Sequence, residues 1–164
     1  MTRALLLTVF ALFIAATVSA CAGYAPNTNL VGQHRDSVTQ TLGQPEREYS
    51  SEGKKKLHFP RGPGGSHTYF VFLNDEDKVV GWEQVLTEDR FNQIVPGMSK
   101  EQVIDLIGIS RITNVLARQR GYVWHYRYWN TRCASFVIEF TPENTVRSAD
   151  YRIRGGRQCL YVGQ

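Results

Sequence analysis

Val95-Pro96-Gly97-Met98-Ser99-Lys100-Glu101-Gln102-Val103-Ile104-Asp105-Leu106-Ile107-Gly108 is the stretch on which the fold turns. Ser99 followed by Gln102 is a capping box: the hydroxyl accepts an N–H of the first turn, the amide reaches back to the cap, and Met98 with Val103 fits the hydrophobic staple around it. Val103, Leu106 and Ile107 then make an i, i+3, i+4 apolar stripe, and Gly108 supplies a left-handed stop. A helix is predicted between cap and stop. Just upstream, Thr87-Glu88-Asp89-Arg90 ahead of Phe91 and Ile94 reads as a shorter helix, with Thr87 as its cap, acids in its first turn, and Pro96-Gly97 as the break.

Downstream, residues 122–129, 134–140 and 145–154 read as strands, with Thr141-Pro142-Glu143-Asn144 as a turn. Alternation sends Tyr122, Trp124, Tyr126 and Tyr128 to one face and Val123, His125, Arg127 and Trp129 to the other. The same order of elements precedes it. At an offset of 65, Leu30, Gly32, Val38, Leu42 and Gly43 fall on Val95, Gly97, Val103, Ile107 and Gly108. At an offset of 67, Tyr69, Val71, Leu73, Glu76 and Val79 fall on Phe136, Ile138, Phe140, Glu143 and Val146. The strands of this first half are expected over 55–59, 68–73 and 78–85, with Asn74-Asp75-Glu76-Asp77 as a turn and a long loop from Pro60 to Ser66.

The series Ile94 to Val103, Leu106-Ile107-Gly108, Trp124-His125-Tyr126, Phe136 to Phe140 and Val146 resembles the BamE-like (SmpA/OmlA) outer-membrane lipoprotein domain. That resemblance implies an α+β chain of two tandem repeats, each with short helices packed on a three-stranded antiparallel sheet. The first, degenerate copy would span 30–86, and the second, much the clearer, 87–164. The tandem arrangement also resembles the β-lactamase-inhibitor fold, whose concave sheet grips an enzyme. The first copy departs from the family pattern at Gln33 and His34, where staple and cap should stand, and the second at Ile109-Ser110.

The N-terminus gives the compartment. Arg3 precedes an apolar run from Ala4 to Val18 that closes in Val18-Ser19-Ala20-Cys21, so residues 1–20 read as a secretory signal. Val-Ser-Ala-Cys resembles the lipobox of bacterial lipoproteins, which implies cleavage before Cys21 and acylation of that residue, with acyl chains contributing about 0.8 kcal/mol per buried CH₂. Ala22 in the next position favours sorting to the outer membrane, facing the periplasm. Residues 21–29 then form a short Pro/Asn tether. Of the three cysteines, one is thereby lipidated, and Cys133 and Cys159 remain as a predicted disulfide in an oxidising compartment. Closing that loop would contribute about 3 kcal/mol.

With 42% hydrophobic and 12% aromatic residues the chain carries enough apolar material for a core, which excludes disordered, collagen-like and coiled-coil classes. The net charge of +4 is too mild, in an exported chain, to indicate nucleic-acid binding. No catalytic constellation emerges: His34, His58, His67 and His125 lack ligand spacing, and Gly62-Pro63-Gly64-Gly65-Ser66 lacks the Lys-Ser/Thr that a phosphate loop requires. The expectation is therefore a non-enzymatic protein-binding module without metal, cofactor or small-molecule substrate. Its partners would be envelope proteins, the β-barrel assembly machinery being the one the resemblance implies; inhibition of a periplasmic enzyme is the alternative. Lys54, Lys55, Lys56 and Arg61 form a basic cluster that fits either anionic headgroups or a solvated strand edge. Residues 69–73 are apolar on both faces, and Phe70, Phe72, Trp82, His125, Arg127 and Trp129 are candidate partner contacts. Docking of the two halves on each other would bury the same faces equally well.

Overall fold

The structure is a computed structural model that describes residues 23–153 except 27, 52–53 and 129–133, without the side chains of 28, 51, 54, 134 and 153. Among the described residues three α-helices, α1 (Arg35–Leu42), α2 (Glu88–Phe91) and α3 (Lys100–Ile107), accompany eight strands. Strands β1 (Arg47–Ser51), β2 (Lys54–Arg61), β3 (His67–Leu73) and β4 (Val79–Gln84) form one antiparallel sheet in sequential order. Strands β5 (Ile112–Val115), β6 (Tyr122–Arg127), β7 (Ala134–Phe140) and β8 (Val146–Ile153) form a second in the same way.

The expected architecture of two tandem three-stranded units is thus corrected to two four-stranded antiparallel sheets with three helices. The additional strands are β1 and β5, each at a sheet edge. Their sequences, Arg-Glu-Tyr-Ser-Ser and Ile-Thr-Asn-Val, carry almost none of the apolar alternation by which a half-buried strand is recognised. They are strands because each lies in register on a neighbour, Tyr49 opposite Lys56 and Asn114 opposite Val123.

Helix α3 follows its sequence signals. Ser99 Oγ accepts from Gln102 N at 3.2 Å, and Gln102 Oε1 accepts from Ser99 N at 2.8 Å. Ser99→Ala, which removes half of that box, is expected to cost about 1 kcal/mol and to lower the thermal midpoint by roughly 3 °C in a melting experiment. At α1 the cap is His34, whose Nδ1 accepts from Asp36 N at 3.4 Å, so the imidazole takes the place of a hydroxyl. Helices α1 and α3 are each approached by a segment bonded to the last strand of a sheet and to the turn before it. Gly32 N donates to Val79 O at 2.8 Å and Gly97 N to Val146 O at 2.9 Å; Arg35 N donates to Asp77 O at 2.9 Å and Lys100 N to Asn144 O at 2.8 Å.

Leu57, Phe59, Tyr69, Val71, Leu73 and Val79 on one face of the first sheet form a core with Leu30 and with Val38 of α1. Phe70 on the opposite face joins a larger core with Val85, Phe91, Ile94, the α3 residues Val103, Ile104 and Ile107, and the aromatic face of the second sheet. Helices α2 and α3 therefore contact both sheets. Phe91 stacks on Phe136 with ring centroids 4.3 Å apart, an arrangement worth about 1 kcal/mol beyond the burial itself. Strand β3 is buried on both faces, which is why its sequence reads as an unbroken apolar run.

Candidate functional site

The residues singled out in the sequence separate into three places. Phe70 is 1% exposed and lies in the core shared by the two sheets, and Phe72 is partly buried against the same core. Phe70 is therefore not a partner contact: its face is taken by the protein's own second half. Trp82 does not share that face. It lies opposite Val71 and edge-on to Tyr69, with ring centroids 5.8 Å apart, on the α1 side. The cause is a β-bulge: Phe72 pairs with Gly81 and Leu73 with Val79, so the extra residue, Val80, reverses the alternation between Val79 and Trp82.

The basic cluster is dispersed by the pleat. Lys55 Nζ bonds Asp77 Oδ1 at 2.7 Å, while Lys56 points to the other face, where it pairs with Asp105 and lies over the rings of Tyr49 and Phe70. Arg61 donates to Leu42 O at 3.3 Å, at the end of α1. The side chain of Lys54 lies outside the described residues, as do Trp129, the lipidation candidate Cys21 and the predicted disulfide between Cys133 and Cys159.

The Lys56 face also holds His58, a residue without any distinguishing sequence signal. His58 is fully buried, its ring edge-on to Phe70 at 5.5 Å, and neither ring nitrogen has a hydrogen-bond partner among the described residues. Burial lowers its pKa from 6.5 to about 4; Arg111, Arg47 and Lys56 push in the same direction and Glu46 opposes them. Gly108 at the end of α3 lies directly against the imidazole, and Tyr126 donates its phenolic proton to Gly108 O at 2.8 Å. Further links between the halves are Arg111 Nε to Glu46 Oε2 at 2.8 Å and Arg90 to Glu83 at 2.6 Å. This polar and apolar seam is structural.

His125 and Arg127 remain on the outer face of the second sheet, both half-buried. Arg127 lies under the loop of the first half: a Cβ at Gly64 would stand 3.0 Å from its Cδ and Nε. Beside them, Ser110 Oγ accepts from Ile112 N at 3.1 Å and donates to His125 O at 2.7 Å, bridging the start of the β5–β6 ladder. Thr113, Asn114 and Val115 are exposed, Val115 to 80%. The open rim made by β5 with His125 and Arg127 is the candidate functional site. Its edge strand was missed in the sequence because exposure leaves a strand no apolar period.

The remaining histidines have structural roles: His34 caps α1, and His67 stacks on Tyr24 and shares a 3.1 Å hydrogen bond with Ser66 Oγ. Among the described residues no group of His, Cys, Asp and Glu side chains is placed to hold a metal ion, and no helix is long and apolar enough to cross a membrane.

No family model matches this chain, and no curated protein matches it. Solved structures do. An extracellular protein containing an SCP domain from Bacillus anthracis is 15% identical over 80% of this chain and 47% of its own, with a TM-score of 0.31. A cysteine-rich secretory protein from Staphylococcus aureus is 13% identical over 76% of this chain and 45% of its own, with a TM-score of 0.28. The chain spans less than half the length of either. The BamE-like resemblance is corrected by these findings: neither a family model nor a curated protein supports it, and neither of these two structures is described as a protein of that kind. Those two proteins are described as extracellular and secretory, and neither description mentions an outer-membrane lipid anchor.

Proposed function

We propose that the protein is an exported, non-enzymatic binding module, held to the periplasmic side of the outer membrane by acylated Cys21 and acting through contacts with an envelope protein. The observation that carries this reading is the open rim of the second sheet. The inner faces of both sheets are spent on the core, whereas β5 presents three exposed residues in succession, with Val115 at 80%. Exposed strand edges are templates for another chain. The anchor rests on residues 18–21, and the lipid supplies membrane affinity without any contribution from the dispersed lysines.

The reading is tested by in-cell crosslinking and pull-down of the tagged, lipidated protein, with Cys21→Ser as control. Enrichment of an envelope protein crosslinked to the 111–128 region is the expected result. Capture of a soluble enzyme whose activity falls on binding would make the module a regulator of that enzyme. Absence of any protein enriched over the control overturns the reading.

A further inference from the structure

We infer that the free edge of β5 is completed by an extended, acidic segment of the partner protein, added as a further antiparallel strand. This inference rests on the binding-module reading and names the chemistry of the partner.

Parity of the ladder fixes which backbone groups are on offer. Leu116 N donates to Gly121 O at 2.9 Å, and Asn114 lies opposite Val123, so these residues face β6. Thr113 and Val115, one step out of phase, direct their N–H and C=O groups away from the sheet. The other edges are guarded. Strand β1 carries Arg47 and Glu48, and β8 carries Arg147, Asp150 and Arg152. Beside β4, Gly32 donates to Val79 O, and Gln33 O accepts from Val79 N at 2.9 Å. Strand β5 alone among the edges carries no charge; its first residue, Ile112, lies against Gly64, and Thr113, Asn114 and Val115 are exposed.

Charge selects the occupant. Arg111 precedes the strand, and Arg118 and Arg120 follow it in an exposed turn. That turn is held in place by Arg147, which donates to Gln119 O at 3.0 Å and Arg120 O at 2.9 Å. Arg111 reaches Glu46, while among the described residues Arg118 and Arg120 meet no carboxylate. A strand laid along β5 thus runs from the Arg111–Glu46 pair at one end to the two arginines without a carboxylate at the other. A second copy of the chain fits poorly, because antiparallel pairing of two β5 strands about Asn114 sets Arg111 of one copy near Arg118 of the other, and like charges across a ladder repel. An acidic segment draws main-chain hydrogen bonds from Thr113 and Val115, with register and orientation set by the arginines.

The test uses the exported chain, with Cys21→Ser to keep it in solution, and two synthetic peptides, one alternating Thr with Glu and one alternating Thr with Lys. Amide NMR is expected to show the Glu peptide binding about tenfold more tightly, with hydrogen exchange slowed at Thr113 and Val115. Val115→Pro removes an outward N–H and leaves the β6 ladder intact, so it should weaken that binding about tenfold. Arg118→Glu with Arg120→Glu, both on the exposed turn, should abolish the preference for Glu even if the proline variant does not fold. Equal binding of both peptides, protection elsewhere, or self-association through β5 without peptide binding each overturns the inference. Should the crosslinked envelope partner be captured equally by Val115→Pro, the edge falls and the binding module stands; should no variant capture anything, the module reading falls with it.

Discussion

Gly108→Ala is expected to destabilise the protein by about 4 kcal/mol, roughly twice the loss from Gly43→Ala. The two glycines end α3 and α1 with nearly the same backbone, φ 80° and ψ 176° against φ 84° and ψ −172°. A left-handed stop was expected at Gly108; φ is positive at both glycines, but ψ is extended, a combination essentially reserved for glycine. Each alanine therefore pays backbone strain of about 2 kcal/mol. Their surroundings differ: a Cβ at Gly43 meets nothing within 4 Å, whereas one at Gly108 overlaps the buried His58 ring. Overpacking there adds about 2 kcal/mol, since neither the imidazole nor α3 has room to retreat. Chemical denaturation of the two glycine variants, of His58→Ala, and of His58→Ala combined with each glycine variant measures the terms separately. The second substitution should recover part of the loss at Gly108 and none at Gly43. Equal losses at the two glycines would mean that the halves do not meet at His58.

This contact marks where sequence reading stops. The capped helix α3 is legible because each of its signals is local: Ser99 and Gln102 bond across one turn, and Val103, Leu106 and Ile107 recur at helical spacing. The run Tyr69 to Leu73 is legible as a strand that needs cover on both faces, and internal docking was one of the two covers foreseen. What selects that cover is long-range, the fit of Phe70 and His58 against α3, and no period along the chain encodes it. The same holds for the placement of Trp82, which depends on one bulged residue, Val80, invisible to strict alternation. Strands β1 and β5 were missed for the opposite reason, since exposure frees their side chains from any pattern. The candidate site is accordingly the least legible part: Arg127 was singled out for its type, but the edge it borders appears only once β5 is paired with β6.

Stability is expected to fall by about 3 kcal/mol as the pH is lowered from 6.5 to 4, because of His58 alone. Burial holds the folded-state pKa near 4, against 6.5 for an accessible histidine, so the native protein keeps the ring neutral where the unfolded chain protonates it. Between those values the unfolded state binds the extra proton, and each pH unit costs up to 1.36 kcal/mol. The contribution is fully present above pH 6.5, declines through the window and levels off below 4. Protonation would place a cation without a hydrogen-bond partner among Lys56, Arg47 and Arg111, with only Glu46 to oppose it. Carboxyls held below their usual range, such as Asp77 by the hydrogen bond from Lys55 and Glu76 by that from Lys78, lose their contribution only toward the acid end of this window and below it, and do so equally in a His58 variant. His58→Leu provides the control. It removes two unsatisfied nitrogens at a modest cost in shape, about 1 kcal/mol or less at pH 7, and takes away His58's share of the slope, leaving that of His67, whose pKa burial also lowers. Urea unfolding at pH 7, 5.5 and 4 should therefore show the two proteins converging as the pH falls, with the variant the more stable at pH 4. Parallel losses in both would show that His58 is not the group that titrates, and that the seam between the two halves tolerates a charged imidazole.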